Sequence, residues 1–244
     1  MVAGSSDHKN KYNQPVGHPV ESWVAPAAVN VAPLTQRLQG RYCELEPLTE
    51  LHKSELQTAF EDAPKNLWTY LAYGPMTQEA DYVSWVELLT QDRSNTFAYL
   101  IRDTEQNALG VCAYLRIAPQ AGSIEIGHLC FSPRLQRTRA ATEALYLMIE
   151  ATFLLGYRRC EWKCNDLNQP SISAAKRLGF SYEGTFRNAQ VVKGANRNTA
   201  WFSMIDSEWN ARQACFEKWL DPDNFDVEGK QIQTLSSMTQ ALID

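Results

Sequence analysis

One apolar stretch, Ile124 to Phe131, carries two groups that can move a proton, Glu125 and His128, on either side of Gly127. Burial disfavours a charged carboxylate and lifts its pKa toward the range a general base needs, whereas an imidazole titrates near neutrality unaided. Pro133 ends the stretch, and a basic loop follows with Arg134, Gln136, Arg137, Thr138 and Arg139, in a chain whose formal net charge is -5. Ala140 and Ala141 then open a segment whose apolar residues Leu145, Met148, Ile149 and Phe153 recur at helical spacing. A strand that enters a helix N-terminus through such a loop presents unpaired backbone N–H groups and the positive end of a helix dipole, a combination that binds phosphate-like anions. Each feature also has a plainer reading. Glu125 can order a structural hydrogen-bond network, His128 can be a half-buried polar residue on a sheet, and the loop can be a solvated connection.

The elements that would position these groups follow from periodicity. Residues 1–39, with Pro15, Pro19, Pro26 and Pro33, read as an irregular arm in which Val20, Trp23, Val24 and Val31 are candidates for packing on the rest. Cys43–Leu48 alternates as a strand. His52–Glu61 reads as a helix with Leu51, Leu56, Ala59 and Phe60 on one side, and a second helix follows Thr77 as its cap, with Tyr82, Trp85, Val86 and Leu89 recurring. Phe97–Arg102, Ala108–Ile117 and Ile124–Phe131 read as strands, and the mid-strand Gly127 marks a bulge or a close approach. After the helix Ala140–Leu155 come a strand at Arg159–Asn165 and a short helix at Pro170–Leu178. Strands at Phe180–Phe186 and Thr199–Met204 flank a basic turn, Lys193 to Asn198, before a helix at Ser207–Leu220. Residues 221–244 are polar and weakly periodic. The order implies an α/β chain built on a mixed sheet with flanking helices. The expected organisation is an arm at 1–39, one domain at 40–206, and a C-terminal helix and tail at 207–244.

Composition narrows the function classes. A mildly acidic chain with 44% hydrophobic residues can bury a large core and is a poor general nucleic-acid binder, since phosphate contacts need clustered Lys and Arg. The six cysteines are scattered; Cys160 and Cys164 have no second pair and no nearby His, so buried reduced thiols are expected rather than zinc. The polar start and the interrupted apolar runs predict no secretory signal and no membrane partner, hence a cytoplasmic or nuclear protein.

The run Gln136-Arg137-Thr138-Arg139-Ala140-Ala141 resembles the acetyl-CoA pyrophosphate loop of the GNAT superfamily of N-acetyltransferases, Gln/Arg-x-x-Gly-x-Gly/Ala, with Arg139 standing where the pattern has its first glycine. The later segment, with Asn168, Ser171, Leu178-Gly179-Phe180 and Glu183-Gly184, is similar to RimJ/RimL-type enzymes of that superfamily. The resemblance spans about residues 40–206 and implies the GNAT fold, with acetyl-CoA as cofactor. It assigns cofactor contacts to the stretch from Gln136 to Thr142 (Gln136, Arg137, Thr138, Arg139, Ala140, Ala141, Thr142), to backbone groups near Leu129 and Phe131, and to Asn168 and Ser171. It implies that an amine, on a small molecule or a peptide N-terminus, attacks the thioester directly, leaving the oligomeric state open. Glu125 is the leading candidate for the base and His128 the second, with a base acting through water as a third route. Ser171 is the implied acid, with Tyr182 as runner-up; their plainer readings are a helix-start hydroxyl and a core aromatic. Trp85 is expected in the core, and the loop-like stretch from Trp68 through Tyr70 to Tyr73 is a candidate acceptor wall. The alternative is a non-catalytic acyl-CoA-binding sensor on the same fold, or an interaction scaffold.

Overall fold

The computed structural model describes residues 8–17, 20, 23–26 and 36–242. Its strands are β1 (Leu38–Gln39), β2 (Glu44–Pro47), β3 (Thr96–Arg102), β4 (Ala108–Ala118), β5 (Ser123–Phe131), β6 (Arg159–Asn165), β7 (Ser181–Val192) and β8 (Ala195–Ile205). Its α-helices are α1 (Lys53–Phe60), α2 (Glu79–Thr90), α3 (Arg139–Leu154), α4 (Gln169–Arg177), α5 (Asp206–Leu220) and α6 (Leu235–Gln240). The strands form one mixed sheet in the order β1-β2-β3-β4-β5-β6-β8-β7. Among the described residues only β5 and β6 pair in parallel, because α3 carries the chain back between them; the other pairings are antiparallel.

Strand alternation sends alternate residues to opposite faces, and the two faces are covered unequally. On one face Ile124, Ile126, Cys160, Trp162 and Cys164 meet Leu145, Met148 and Ile149 of α3 and Trp209 and Phe216 of α5. Burying each large apolar side chain there contributes roughly 1.5–3 kcal/mol. On the opposite face Leu56, Phe60, Trp68, Trp85 and Leu89 pack on Leu100, Val111, Ala113 and Cys130. That second core reaches only from β2 to β5. Further along the same face, β6 and its neighbours carry Arg159, Glu161, Lys163 and Glu183 in ion pairs instead.

Several expectations are corrected. Leu51 is 84% exposed, because a 3-10 turn at Glu50–His52 precedes α1 and turns Leu51 outward. Thr77 does not cap α2. The Asp81 carboxylate accepts from the Thr77 and Gln78 amides, at 2.7 and 3.1 Å, and the helix begins at Glu79. The last two strands are much longer than expected and extend to Val192 and from Ala195. They are joined through Lys193 and Gly194, both at positive φ (50° and 75°) as tight hairpin turns require. The sheet also begins at Leu38, before the expected boundary at residue 40.

The flanking segments are anchored. Trp23 donates its indole N–H to the Gly156 carbonyl at 2.9 Å and lies over Gly122, where a Cβ would come within 2.7 Å of the ring. Val20 and Val24 are exposed, and Pro19, Val31 and Pro33 lie outside the described residues. At the other end Trp219 donates to Gln231, and Leu235 and Thr239 are buried beside α4 and α5.

Candidate active site

The site exists because β5 and β6 part. Their ladder runs from Ser123↔Arg159 to Ile126↔Trp162 and stops, although β5 continues to Phe131 and β6 to Asn165. On its other edge β5 bulges against β4: Gly127 faces Ala113 and Cys130 faces Val111, so β5 uses one residue more than its neighbour over that interval. The left-handed residue of the bulge is His128, at φ 47°, not the glycine expected to supply it. Gly127 serves close approach instead, since a Cβ there would lie 2.5 Å from Leu115 Cδ1.

Between the parted strands lies a cleft of about 430 Å³. Glu125, Gly127, His128 and Leu129 line it from β5; Trp162, Lys163, Cys164 and Asn165 from β6; Asn168 and Ser171 from the start of α4. Tyr70 and Tyr73 close one side, and Phe186, Gln190, Arg197 and Trp201 of the long hairpin close another. Two hydrogen bonds tie these walls together: Tyr70 Oη to the Leu167 carbonyl at 3.1 Å, and Lys193 Nζ to the Trp68 carbonyl at 2.7 Å. Trp68 itself is only 2% exposed and belongs to the aromatic core with Trp85, so the expected acceptor wall narrows to Tyr70 and Tyr73 with their neighbours Leu71 and Ala72. Tyr182 lies outside the cleft; it is 55% exposed on β7 and shares a hydrogen bond with Thr185.

Glu125 is 3% exposed, but its surroundings are not the apolar ones expected. One carboxylate oxygen is 3.0 Å from Lys163 Nζ and is also bound by Arg116. Lys163 in turn lies 2.8 Å from Glu161 and 3.5 Å from the centre of the Trp201 ring. His128 Nδ1 is 3.2 Å from Tyr73 Oη, and the two rings stack. Burial, and then the Arg116 charge, push the His128 pKa down to about 4, so the imidazole is neutral at physiological pH. Ser171 Oγ accepts a 3.0 Å hydrogen bond from Trp162 Nε1. Asn168 caps α4, its side-chain oxygen accepting from the Ser171 amide at 3.3 Å.

The basic loop leads from β5 into α3. Thr138 caps the helix by accepting from the Ala141 amide at 3.1 Å, and Gln136 Nε2 donates to the Phe131 carbonyl at 2.9 Å. Among the described residues the amides of Arg137, Arg139 and Ala140 meet no acceptor. The positive φ in this loop falls on Arg137 (62°), while Arg139 is the first helical residue, so the missing glycine is not needed for conformation. The Arg139 guanidinium lies 4.1 Å above the Phe225 ring and 5.3 Å from that of Tyr42, directed at the C-terminal segment. Thr142 is buried, and its hydroxyl accepts from Arg177 at 2.8 Å, which leaves that side chain committed within the protein. The neighbouring Glu143 carboxylate accepts from the amides of Arg41, Tyr42 and Cys43 and locks α3 to the start of β2.

This geometry agrees with comparison to known proteins. The description "Acetyltransferase (GNAT) domain" matches residues 43–181. The chain belongs to the GNAT acetyltransferase family. A crystal structure of a GCN5-related N-acetyltransferase from Brucella melitensis superposes with a TM-score of 0.84 at 38% identity, covering 91% of this chain and all of that one. The uncharacterized N-acetyltransferase p20 of Bacillus licheniformis is 28% identical over 65% of this chain and 93% of its own length. RimL, a ribosomal L7/L12 alpha-N-protein acetyltransferase, is 23% identical with a TM-score of 0.61 over 70% of this chain and 94% of its own, a likeness of fold. The chain is an acetyl-CoA-dependent N-acetyltransferase on the GNAT fold, a mixed eight-strand sheet with flanking helices. The unengaged amides of Arg137, Arg139 and Ala140 and the run of β5 that has lost its β6 partner fit an extended, diphosphate-bearing cofactor.

Sequence reasoning missed Arg116, Trp162, Lys163, Arg197 and Trp201. Lys163 alternates with Glu161 on a strand whose parallel register sets Glu161 beside Glu125, and Arg197 falls in the segment recognised only as a basic turn.

Proposed function

We propose that the chain transfers the acetyl group of acetyl-CoA to a primary amine, on a small molecule or a peptide N-terminus, by direct attack within a ternary complex of the RimJ/RimL type. The observation that carries this reading is the end of the β5–β6 ladder at Ile126 and Trp162, beyond which the two strands border a cleft containing Glu125, His128 and Ser171. Acetyl-CoA supplies an acyl group already activated as a thioester. The protein's share is orientation, proton transfer and stabilisation of the departing thiolate.

The free amides of Arg137, Arg139 and Ala140 at the entry to α3, with exposed Gln136 and Arg137, take the diphosphate. Backbone groups of Leu129 and Phe131 take the pantetheine arm as an added strand. Asn168 offers its side-chain N–H₂ to the same arm, its oxygen being used by the helix cap. Glu125 accepts the amine proton, directly or through one water, with Arg116 and Lys163 holding the carboxylate in place. Ser171 is suited to the acid role because Trp162 donates to its oxygen, leaving the Ser171 proton to be donated to sulfur. A second reading has its own support. His128 stays neutral at physiological pH, and in the tautomer whose Nδ1–H donates to Tyr73, Nε2 can accept a proton.

A thiol-release assay with acetyl-CoA and a broad amine panel, followed by mass detection of product, tests the assignment. A mass gain of one acetyl group on an acceptor amine is expected. Stoichiometric CoA binding with no acetylated amine across small molecules and peptides would contradict it.

A further inference from the structure

The uncovered sheet face beside the cleft is almost fully charge-paired. Arg116, Lys163 and Arg159 are matched by Glu125, Glu161 and Glu183, each cation within ion-pair distance of at least one of these carboxylates. Arg197 is the exception. It lines the same cleft, yet among the described residues it has no carboxylate within ion-pair distance, and its Nε is buried without a hydrogen-bond partner. Trp201 shows the same defect: its indole N–H is buried without an acceptor, while its ring contacts Lys163 and Phe186. Arg197, Thr199 and Trp201 alternate along β8, so all three face one way, and all three line the cleft. Buried donors without acceptors are uncommon in folded proteins, and two on one wall call for an acceptor supplied from outside. Burial also holds the Arg197 pKa below the usual arginine value, a cost that an anion beside it would offset.

We propose that the acceptor is a small amine bearing a carboxylate, an amino-acid-like molecule, and that Arg197 with the indole N–H of Trp201 docks that carboxylate. The inference rests on the acetyl-transfer reading above and narrows its acceptor. The guanidinium presents the planar donor fork that matches a carboxylate, and a cleft of about 430 Å³ suits a small molecule. Glu125 lies on β5, across β6 from this wall, so a carboxylate held at β8 leaves the amine directed toward the sheet centre.

The test uses matched acceptors, an amino acid and its amide, in the thiol-release assay. Wild-type enzyme should favour the carboxylate member in kcat/KM by about tenfold or more, mainly through KM. Arg197→Gln should bring that ratio close to one, Arg197→Lys should retain part of it, and Trp201→Phe should lower it less. Should Arg197→Gln fail to fold, Arg197→Lys and Trp201→Phe carry the test. A parallel calorimetric titration of the N-acetylated pair, in the presence of CoA, reads carboxylate recognition without turnover. If that preference is present but no amine is acetylated, the acetyl-transfer reading fails while the docking site stands. Equal use of acid and amide by wild-type enzyme would overturn the proposal. So would acceptors confined to peptides without a nearby carboxylate, or an Arg197→Gln variant that weakens CoA binding and keeps the acid-to-amide ratio.

Discussion

The two ends of the β5–β6 boundary are built from the same pair of strands and behave in opposite ways. At the closed end Ile124, Ile126 and Cys160 are almost fully buried against α3, and the parallel ladder satisfies the backbone. At the open end the ladder stops, the bulge places His128, two residues past the last rung, at a left-handed φ, and the side chains become titratable or hydrogen-bonding. Packing at one end holds the strands so that a local irregularity can keep them apart at the other. The difference also separates the expected effects of mutation: the closed end should govern stability, and the open end should govern turnover.

The largest expected effect tests the cleft that the open end borders, which the Glu125 side chain lines although its backbone is still a rung of the ladder. Glu125→Gln should lower kcat by about a hundredfold or more if Glu125 is the base, with CoA affinity little changed. Unaltered kcat across the pH range would transfer the role to His128 or to water. The closed end should answer with the reverse pattern. Met148→Ala, at a fully buried position of α3, should cost about 2–5 kcal/mol in denaturant unfolding while kcat per folded molecule holds. Loss of kcat in that variant would blur the distinction between the ends.

Asn168 sharpens the comparison because it serves both purposes. Asn168→Ala removes the α4 cap and should cost about 1 kcal/mol of stability. Asn168→Asp keeps the cap but lacks the N–H₂ donor, so weaker CoA binding in the folded Asp variant would isolate the cofactor contact, and normal binding would refute it.

The smallest effect concerns pH. Because the folded-state pKa of His128 lies at about 4, below its unfolded value of about 6.5, the unfolded chain binds more protons between those two values. Stability should therefore fall as pH drops from about 6.5 to 4, and His128→Asn should flatten part of that slope in acid unfolding curves. His52, whose pKa burial also lowers, contributes to the same slope.

The elements near the site were legible in the sequence where periodicity is local. The strand and helix on either side of the basic loop, and the strand at Arg159–Asn165, follow from alternation and helical spacing within a few residues. The extended hairpin was not legible, because the residues from Arg187 to Asn198 are mostly exposed and polar and carry no alternating apolar signal. Glu125, His128, Asn168 and Ser171, identified by type and resemblance, do line one cleft. Their partners were hidden because they depend on register and on distant contacts. Lys163 meets Glu125 only through the parallel pairing, Trp162 reaches Ser171 across a loop, and Arg139 is drawn to Phe225 of the C-terminal segment.

Hydrogen–deuterium exchange with and without CoA tests the account most directly. Coenzyme should slow exchange within residues 127–131, where β5 has lost its β6 partner, and at the amides of Arg137, Arg139 and Ala140, while residues 123–126, already bonded in the ladder, change little. Tight CoA binding that leaves both stretches exchanging as before would contradict the claim that the parted strands and the opening turn of α3 hold the cofactor.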